Sequence, residues 1–205
     1  MEKFDAKLVH KALYSPSATE FTLVEVPAIS YLAVDGHGDP NTSPDYAEAL
    51  EALYSVAYSM KFENKKEHGR DAVVGPLEGL WRADDPAAFT SRDKGSWRWT
   101  MMIPQPPWVT STMLQDAVAR VGRKKALDAI GRLRLEALVE GLSVQILHHG
   151  PYDDEGPTLE RLHHEFMPEH GLTFNGDHHE IYLNDPRRIA PVKLKTILRQ
   201  PVRPA

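Results

Sequence analysis

The feature that most constrains this chain is that one order of elements can be read in it twice. Strand, strand, glycine loop, proline-started helix, glutamate-bearing strand and a last strand ending in proline run over about 20–108 and again over about 132–202, a period of roughly 110 residues. A helix over about 110–130 joins the two passes. Such a duplication predicts an α+β fold of tandem, pseudo-twofold strand–helix–strand–strand repeats. An antiparallel sheet would carry helices packed on it, with a central ligand cleft, and residues 1–205 would form a single domain. Two equivalent halves would also bring Glu78 and Glu180 to one shared cleft near the pseudo-twofold axis.

The elements follow from local signals. Phe21–Val26 alternates as a strand and breaks at Pro27, and Ile29–Val34 is a second strand ending in Asp35-Gly36-His37-Gly38-Asp39-Pro40-Asn41. That loop has Asn41 where the third glycine of a dinucleotide fingerprint belongs, which excludes a Rossmann reading. Ser43-Pro44 reads as N-cap and first helical residue. Tyr46, Leu50, Leu53, Tyr54, Ala57 and Tyr58 recur at three- and four-residue spacing, predicting an amphipathic helix to about Phe62 before a charged loop, Glu63–Arg70. Val73-Val74 enters the first glutamate strand, which Asp84-Asp85-Pro86 would end. A polar loop then spans 87–96, and Trp97–Ile103 is a strand closed by Pro104. Thr110 opens a helix through Met113, Leu114, Ala117, Val118 and Val121 and on past Lys125. Leu133–Val139 and Val144–Leu147 are strands separated by Glu140-Gly141, and His148–Glu155 is a loop. Pro157 starts a helix carrying Leu159, Leu162 and Phe166, which Gly171 closes. The second glutamate strand, 178–183, puts Glu180 and Tyr182 on one face, because strand side chains alternate, and it stops at Asn184-Asp185-Pro186. Leu194–Leu198 is the last strand, closed by Pro201.

Composition narrows the function. There is no cysteine, which removes disulfides, thiolate catalysis and Cys-ligated zinc and fits a cytosolic protein. The net charge of −5 suits no direct nucleic-acid binder, which needs a basic face for phosphates. No apolar run reaches membrane length, and the N-terminus lacks the apolar core of a signal peptide. The pairs His148-His149, His163-His164 and His178-His179 invite a metal reading, but no His-Glu-x-x-His occurs, so no metal and no cofactor is expected. No Gly-x-Ser-x-Gly elbow or phosphate loop is present either.

Long words of the chain resemble a known family. They include Tyr31–Asn41, Leu53–Tyr58, Pro76–Trp81, Lys94–Met101, Gln145–Glu155, His178–Arg188 and Leu194–Arg199. Together they resemble the stand-alone GyrI-like small-molecule-binding family of the effector-binding-domain superfamily, over most of 20–202. The resemblance implies a concave sheet surface between two helices that takes hydrophobic, aromatic or cationic drug-like molecules. Relatives include effector-binding domains of drug-responsive regulators, gyrase-inhibitory proteins and a branch of cyclopropanoid cyclopropyl hydrolases that opens the strained ring of DNA-alkylating compounds. The chain departs from the regulators in carrying no fused DNA-binding domain. It also has Thr196-Ile197-Leu198-Arg199 where many of them place an acid in the final strand.

The candidate site residues are drawn from both readings. A carboxylate in a core is costly unless paired or working, which singles out Glu180 and Glu78. Either could attract a cation or, with its pKa raised by burial, deprotonate a water. Tyr182 or another phenol could polarise a ligand carbonyl. Tyr54, Tyr58, Trp81, Trp97, Trp99 and Tyr152 could stack on a flat ligand, with Trp97 and Trp99 sharing a strand face and Arg98 turned away. His149 and His179 complete the ligand-binding set, and His178 or His179 could orient a carboxylate. The expected function is a cytoplasmic binder of hydrophobic small molecules that hydrolyses strained electrophiles as detoxification. The alternatives are a drug-sequestering or sensing protein, or a gyrase-inhibitor-like regulator that binds a partner.

Overall fold

A computed structural model describes residues 2–83 and 93–205. The Asp84-Asp85-Pro86 turn and residues 87–92 of the polar loop expected over 87–96 lie outside the described residues. The chain is a mixed α+β protein with a large antiparallel sheet and helices packed on it. It divides into two compact units. Unit 1 comprises Met1–Val9, Ile29–Gly75 and Gly79–Leu138, and unit 2 comprises His10–Ala28, Pro76–Glu78 and Val139–Ala205. The units do not follow the two sequence passes. The first strand of the first pass, β2 (Thr22–Val26), belongs to unit 2, and the first strand of the second, β7 (Arg134–Leu138), belongs to unit 1.

Unit 1 begins with β1 (Glu2–Phe4) and α1 (Ala6–Val9); β1 pairs in parallel with β4 (Arg70–Ala72). Its sheet is built on β3 (Ile29–His37), which pairs antiparallel with β6 (Arg98–Pro104) and β7, and β5 (Leu77–Arg82) lies beside β6. Helix α3 (Pro44–His68) packs on β3 and β6 through Ala49, Ala52, Leu53, Val56 and Met60. Ser43 accepts the Tyr46 N–H as its cap, and Pro44 occupies the first turn, where a missing N–H costs nothing. The helix runs six residues beyond Phe62, so the charged stretch is helix rather than loop. Glu63, Lys65, Lys66 and Glu67 are good helix formers, Lys61 and Lys65 both reach Asp71, and Gly69 ends the helix in the left-handed conformation. Helix α4 (Ser111–Gly122), capped by Thr110, stops short of Lys125 and packs on α3.

Unit 2 opens with α2 (Lys11–Tyr14), whose Leu13 and Tyr14 are buried in what reads in sequence as a featureless lead-in. Its strands run in the order β2, β8 (Gly141–His149), β11 (Lys195–Pro204), β10 (His178–Tyr182), with β9 (Leu172–Phe174) on the far end of β11. Strand β11 continues through Pro201, against the expectation that this proline closes it. Pro201 sits opposite Ser143 and loses only a donor, while its carbonyl accepts the Asn175 N–H. Helix α5 (Gly156–Arg161) widens into a π turn over Leu162–Phe166 before its last turn, Met167–Glu169. Pro168 has no N–H for the carbonyl four residues back, and the Met167 N–H bonds Leu162 instead. Leu162 and Met167 seal this helix to Val144 and Val202 of the sheet.

One close approach fixes unit 1. A Cβ built on Gly36 would stand 2.0 Å from the ring of Trp99, which is fully buried, so only glycine lets β3 pass over the indole. Gly36→Ala should therefore lower the unfolding free energy by about 1–3 kcal/mol through overpacking. Urea denaturation would show it, and adding Trp99→Leu should recover part of the loss; simple additivity of the two changes would refute the contact as the cause.

Candidate functional site

Two polar assemblies lie on opposite faces of the unit 2 sheet, and the alternation of β10 assigns them. His179 and Ile181 point to one face, and His178, Glu180 and Tyr182 point to the other.

On the first face, α2 and Glu78 close over a buried charge network. Glu78, His179, Glu140 and Arg199 are each at most 5% exposed. His179 Nδ1 lies 2.9 Å from Glu140 Oε1, and its Nε2 stands 3.0 Å from Glu78 Oε2, an ion pair whose N–H is not aligned for a hydrogen bond. Tyr14 donates its hydroxyl to Glu78 Oε1 at 2.6 Å. Arg199 donates to Glu140 at 3.1 Å, to the Gln145 amide oxygen at 3.2 and 3.3 Å, and to the Leu13 carbonyl at 3.0 Å. Burial alone would lower the His179 pKa, but the charge and hydrogen bonds of Glu140, joined by Glu78, raise it to about 9. Burial likewise opposes ionisation of Glu140, yet His179 and then Arg199 bring its pKa down to about 2. Both are charged at neutral pH.

On the second face, Glu180 is half-buried. Tyr182 donates to its Oε2 at 2.7 Å, and His178 Nε2 lies 3.5 Å from its Oε1. The Tyr152 ring meets the Tyr182 ring edge-on at 5.5 Å, and its phenol is pushed up to about 12 by burial and then by the charges of Glu155, Glu180 and Asp185. Glu155 is buried at the start of α5, and Thr196 stands opposite Tyr182 in the β10–β11 register. His163, from the π turn, is lowered to about 4 by burial and by the neighbouring His178 and His164. Among the described residues on this side, the buried His163 Nε2 and His178 Nδ1 have no hydrogen-bond partner, His178 Nε2 meets only Glu180, and the Thr196 hydroxyl lies beside the Glu155 carboxyl. Buried polar atoms without a partner are costly to a fold.

Unit 1 carries an aromatic cluster. Tyr46 stacks on Trp81 at 6.4 Å and meets Trp99 edge-on at 5.1 Å, Trp81 meets Trp97 at 5.6 Å, and Lys94 lies over Trp97 at 5.8 Å.

The structure thus gathers Glu180, Tyr182 and Tyr152 in unit 2, and Trp81, Trp97 and Trp99 in unit 1. It corrects the shared cleft of Glu78 and Glu180: Glu78 is enclosed by Tyr14 and His179 on the face that Glu180 turns away from. His179 belongs to that interior network. Tyr58 stacks instead on Phe62 on the exposed side of α3, His149 is exposed, and Tyr54 is half-buried on α3. The phenol of Tyr182 gives its proton to Glu180 rather than to a ligand carbonyl. Glu155, Glu140, Arg199 and Tyr14 escape a sequence reading, since their partners lie far along the chain. No group of three or more His, Asp or Glu among the described residues is arranged to hold a metal ion. No described helix is long and apolar enough to cross a membrane.

Comparison with known proteins gives these geometries a family. The sequence model of the GyrI-like small molecule binding domain matches residues 19–201. A solved structure of an uncharacterized conserved protein from Listeria innocua is 37% identical over 98% of this chain and 100% of its own, with a TM-score of 0.89. A hydrolase from Listeria innocua is 38% identical over the same shares, with a TM-score of 0.87. The C-terminal domain of EcmrR, 10% identical over 91% of this chain and 98% of its own with a TM-score of 0.57, shares the fold alone. Among curated proteins none matches the chain closely in sequence.

The network makes stability depend on pH at both ends. His179, raised from 6.5 to about 9, contributes fully below pH 6.5 and loses its contribution as pH rises through 9. Glu140, lowered from 4.5 to about 2, contributes fully above pH 4.5 and loses it as pH falls through 2. Urea unfolding from pH 5 to pH 9.5 should therefore weaken above about pH 6.5, and His179→Gln should remove that limb. Glu140→Gln, which strands Arg199 and His179, should cost about 3–5 kcal/mol. A wild-type alkaline limb that survives in His179→Gln would refute the assignment.

Proposed function

The chain belongs to the GyrI-like small-molecule-binding domain family, and from that premise we propose that it is a cytoplasmic hydrolase of strained, electrophilic small molecules bound at the Glu180 face. The single observation that carries this reading is a partly exposed carboxylate oriented by a phenol, beside buried imidazole nitrogens of His163 and His178 that have no hydrogen-bond partner. The likeness to a hydrolase from Listeria innocua supports the class of reaction.

In the reaction, Glu180 takes a proton from water while Tyr182 holds the carboxylate in place through Oε2. The water oxygen bonds to a cyclopropyl carbon, the strained C–C bond breaks, and its electron pair passes into the conjugated carbonyl, which becomes a phenol on protonation. Tyr152 and Tyr182 offer ring faces and edges to a flat substrate, and such contacts contribute about 0.5–1.5 kcal/mol each beyond area burial. Tyr46 and Trp97, half-buried on either side of the buried Trp81, form a further aromatic surface in unit 1, where a planar cation or scaffold can stack. Trp99, buried against Gly36, belongs to the core beneath that surface.

Turnover of a spirocyclopropyl cyclohexadienone, followed by its ultraviolet spectrum and product mass, tests this reading. Wild type should release the ring-opened, water-added product over many cycles. Glu180→Gln should lower kcat about 10²–10⁴-fold, the usual range for a lost general base. Tyr182→Phe should lower it less. Stoichiometric binding without product would replace the hydrolase with a sequestering protein, and loss of neither binding nor turnover in Glu180→Gln would move the base elsewhere.

A further inference from the structure

Opening a cyclopropane into a carbonyl needs a donor as well as a base, and Tyr182 is committed to Glu180. We propose that Glu155 is the proton donor of this site, delivering its proton to the carbonyl oxygen that receives the electron pair while Glu180 takes one from water. This inference rests on the hydrolase reading of the same face.

The geometry of Glu155 is unusual for a carboxylate. It immediately precedes α5, where free N–H groups and the helix dipole would welcome a negative side chain. Yet it makes no capping hydrogen bond, although the Thr158 and Leu159 N–H groups do bond its backbone carbonyl. Its side chain turns inward instead and is 4% exposed. The charges acting on it, from Glu180 and Asp153, are both negative, and Thr196 is the hydroxyl beside it. The other titratable groups around this face are Tyr152 from its own turn, Tyr182 and His178 beside Glu180 on β10, Asp185 after β10, His148 opposite Thr196 on β8, and His163 and His164 from the π turn. A carboxyl in such surroundings keeps its proton. Burial first, and the Glu180 charge second, push its pKa up to about 10 against the opposing Thr196 hydrogen bond.

The proton balance closes within the site. Water gives one proton to Glu180 and its oxygen to carbon, Glu155 gives one to the nascent phenolate, and transfer from Glu180 back to Glu155 restores both. Nothing is oxidised, and no co-reactant is needed. Glu155→Gln keeps size and hydrogen bonding but has no proton to give.

Two measurements on the full chain test the assignment. The infrared difference between wild type and Glu155→Gln at pH 7 should contain the carbonyl stretch of one protonated carboxylic acid. With the spirocyclopropyl cyclohexadienone, Glu155→Gln should lower kcat about 10²–10⁴-fold with KM within a few-fold, and the alkaline limb of the pH–rate profile should disappear. Glu155→Asp, which restores an acid, should recover part of the rate and that limb. An ionised Glu155 at pH 7, or a Glu155→Gln enzyme as fast as wild type, would overturn the donor role while leaving the hydrolase intact. Absence of wild-type turnover would instead remove the hydrolase reading and the donor role with it.

Discussion

The interaction on which unit 2 depends is the buried ion pair between His179 and Glu140, completed by Arg199 and Glu78. Two acids and two bases balance inside the protein, and Gln145, Tyr14 and the Leu13 carbonyl take up remaining hydrogen-bonding capacity. Removing water from four charges is expensive, and such a network adds little net stability over an apolar core. Its physical effect is specificity. A slip of one residue in β10 would aim His179 at α5 and strand Glu140, Arg199 and Glu78 without a partner. The network therefore holds β10 in one register, and that register turns Glu180 and Tyr182 toward the opposite face. The direction in which Glu180 and Tyr182 point is thus set by charges on the other face of the sheet.

That opposite face shows what a site costs a fold. Leu162, Met167, Val144 and Val202 pack as an ordinary core. Nearby, Glu155 and Thr196 are buried, and His163 and His178 turn ring nitrogens inward without a hydrogen-bond partner. An apolar substitution at any of them would remove a desolvation penalty. The π turn contributes to this arrangement. It follows from Pro168, and it carries His163 at the point where the helix departs from regular spacing.

How much of this is legible in the sequence depends on how far a signal reaches. Ser43-Pro44 marks the start of α3 because capping is local, and alternation in β10 puts Glu180 with Tyr182 because side-chain direction is local too. The end of α3 is missed because charge alone does not stop a helix; Gly69 does. The same limit hides the site's environment. Glu140 reads as half of a turn, and its partners are 39 and 59 residues away. Arg199 reads as a basic residue in a final strand, and only the sheet shows that it faces inward. The symmetry of the two passes also misleads. It predicts equivalent positions for Glu78 and Glu180, whereas Tyr14, from outside both repeats, closes over Glu78 and makes it interior.

Unit 2 holds glutamates of one chemistry in sharply different surroundings. Glu140, between His179 and Arg199, is a carboxylate whose pKa is held near 2, about as firmly ionised as a side chain can be. Glu155, with only negative charges acting on it and little water, has its pKa pushed to about 10. Glu180 stands between these extremes in structure, with one oxygen fixed by a phenol and the side chain in reach of solvent. Acid and base chemistry at one pH requires two titratable groups driven apart. Burying one carboxyl beside the charge of another does so without a metal, a cofactor or a second residue type. Burial does most to keep the proton on Glu155 and the Glu180 carboxylate beside it adds to the effect, so the proposed donor draws part of its acidity control from the proposed base.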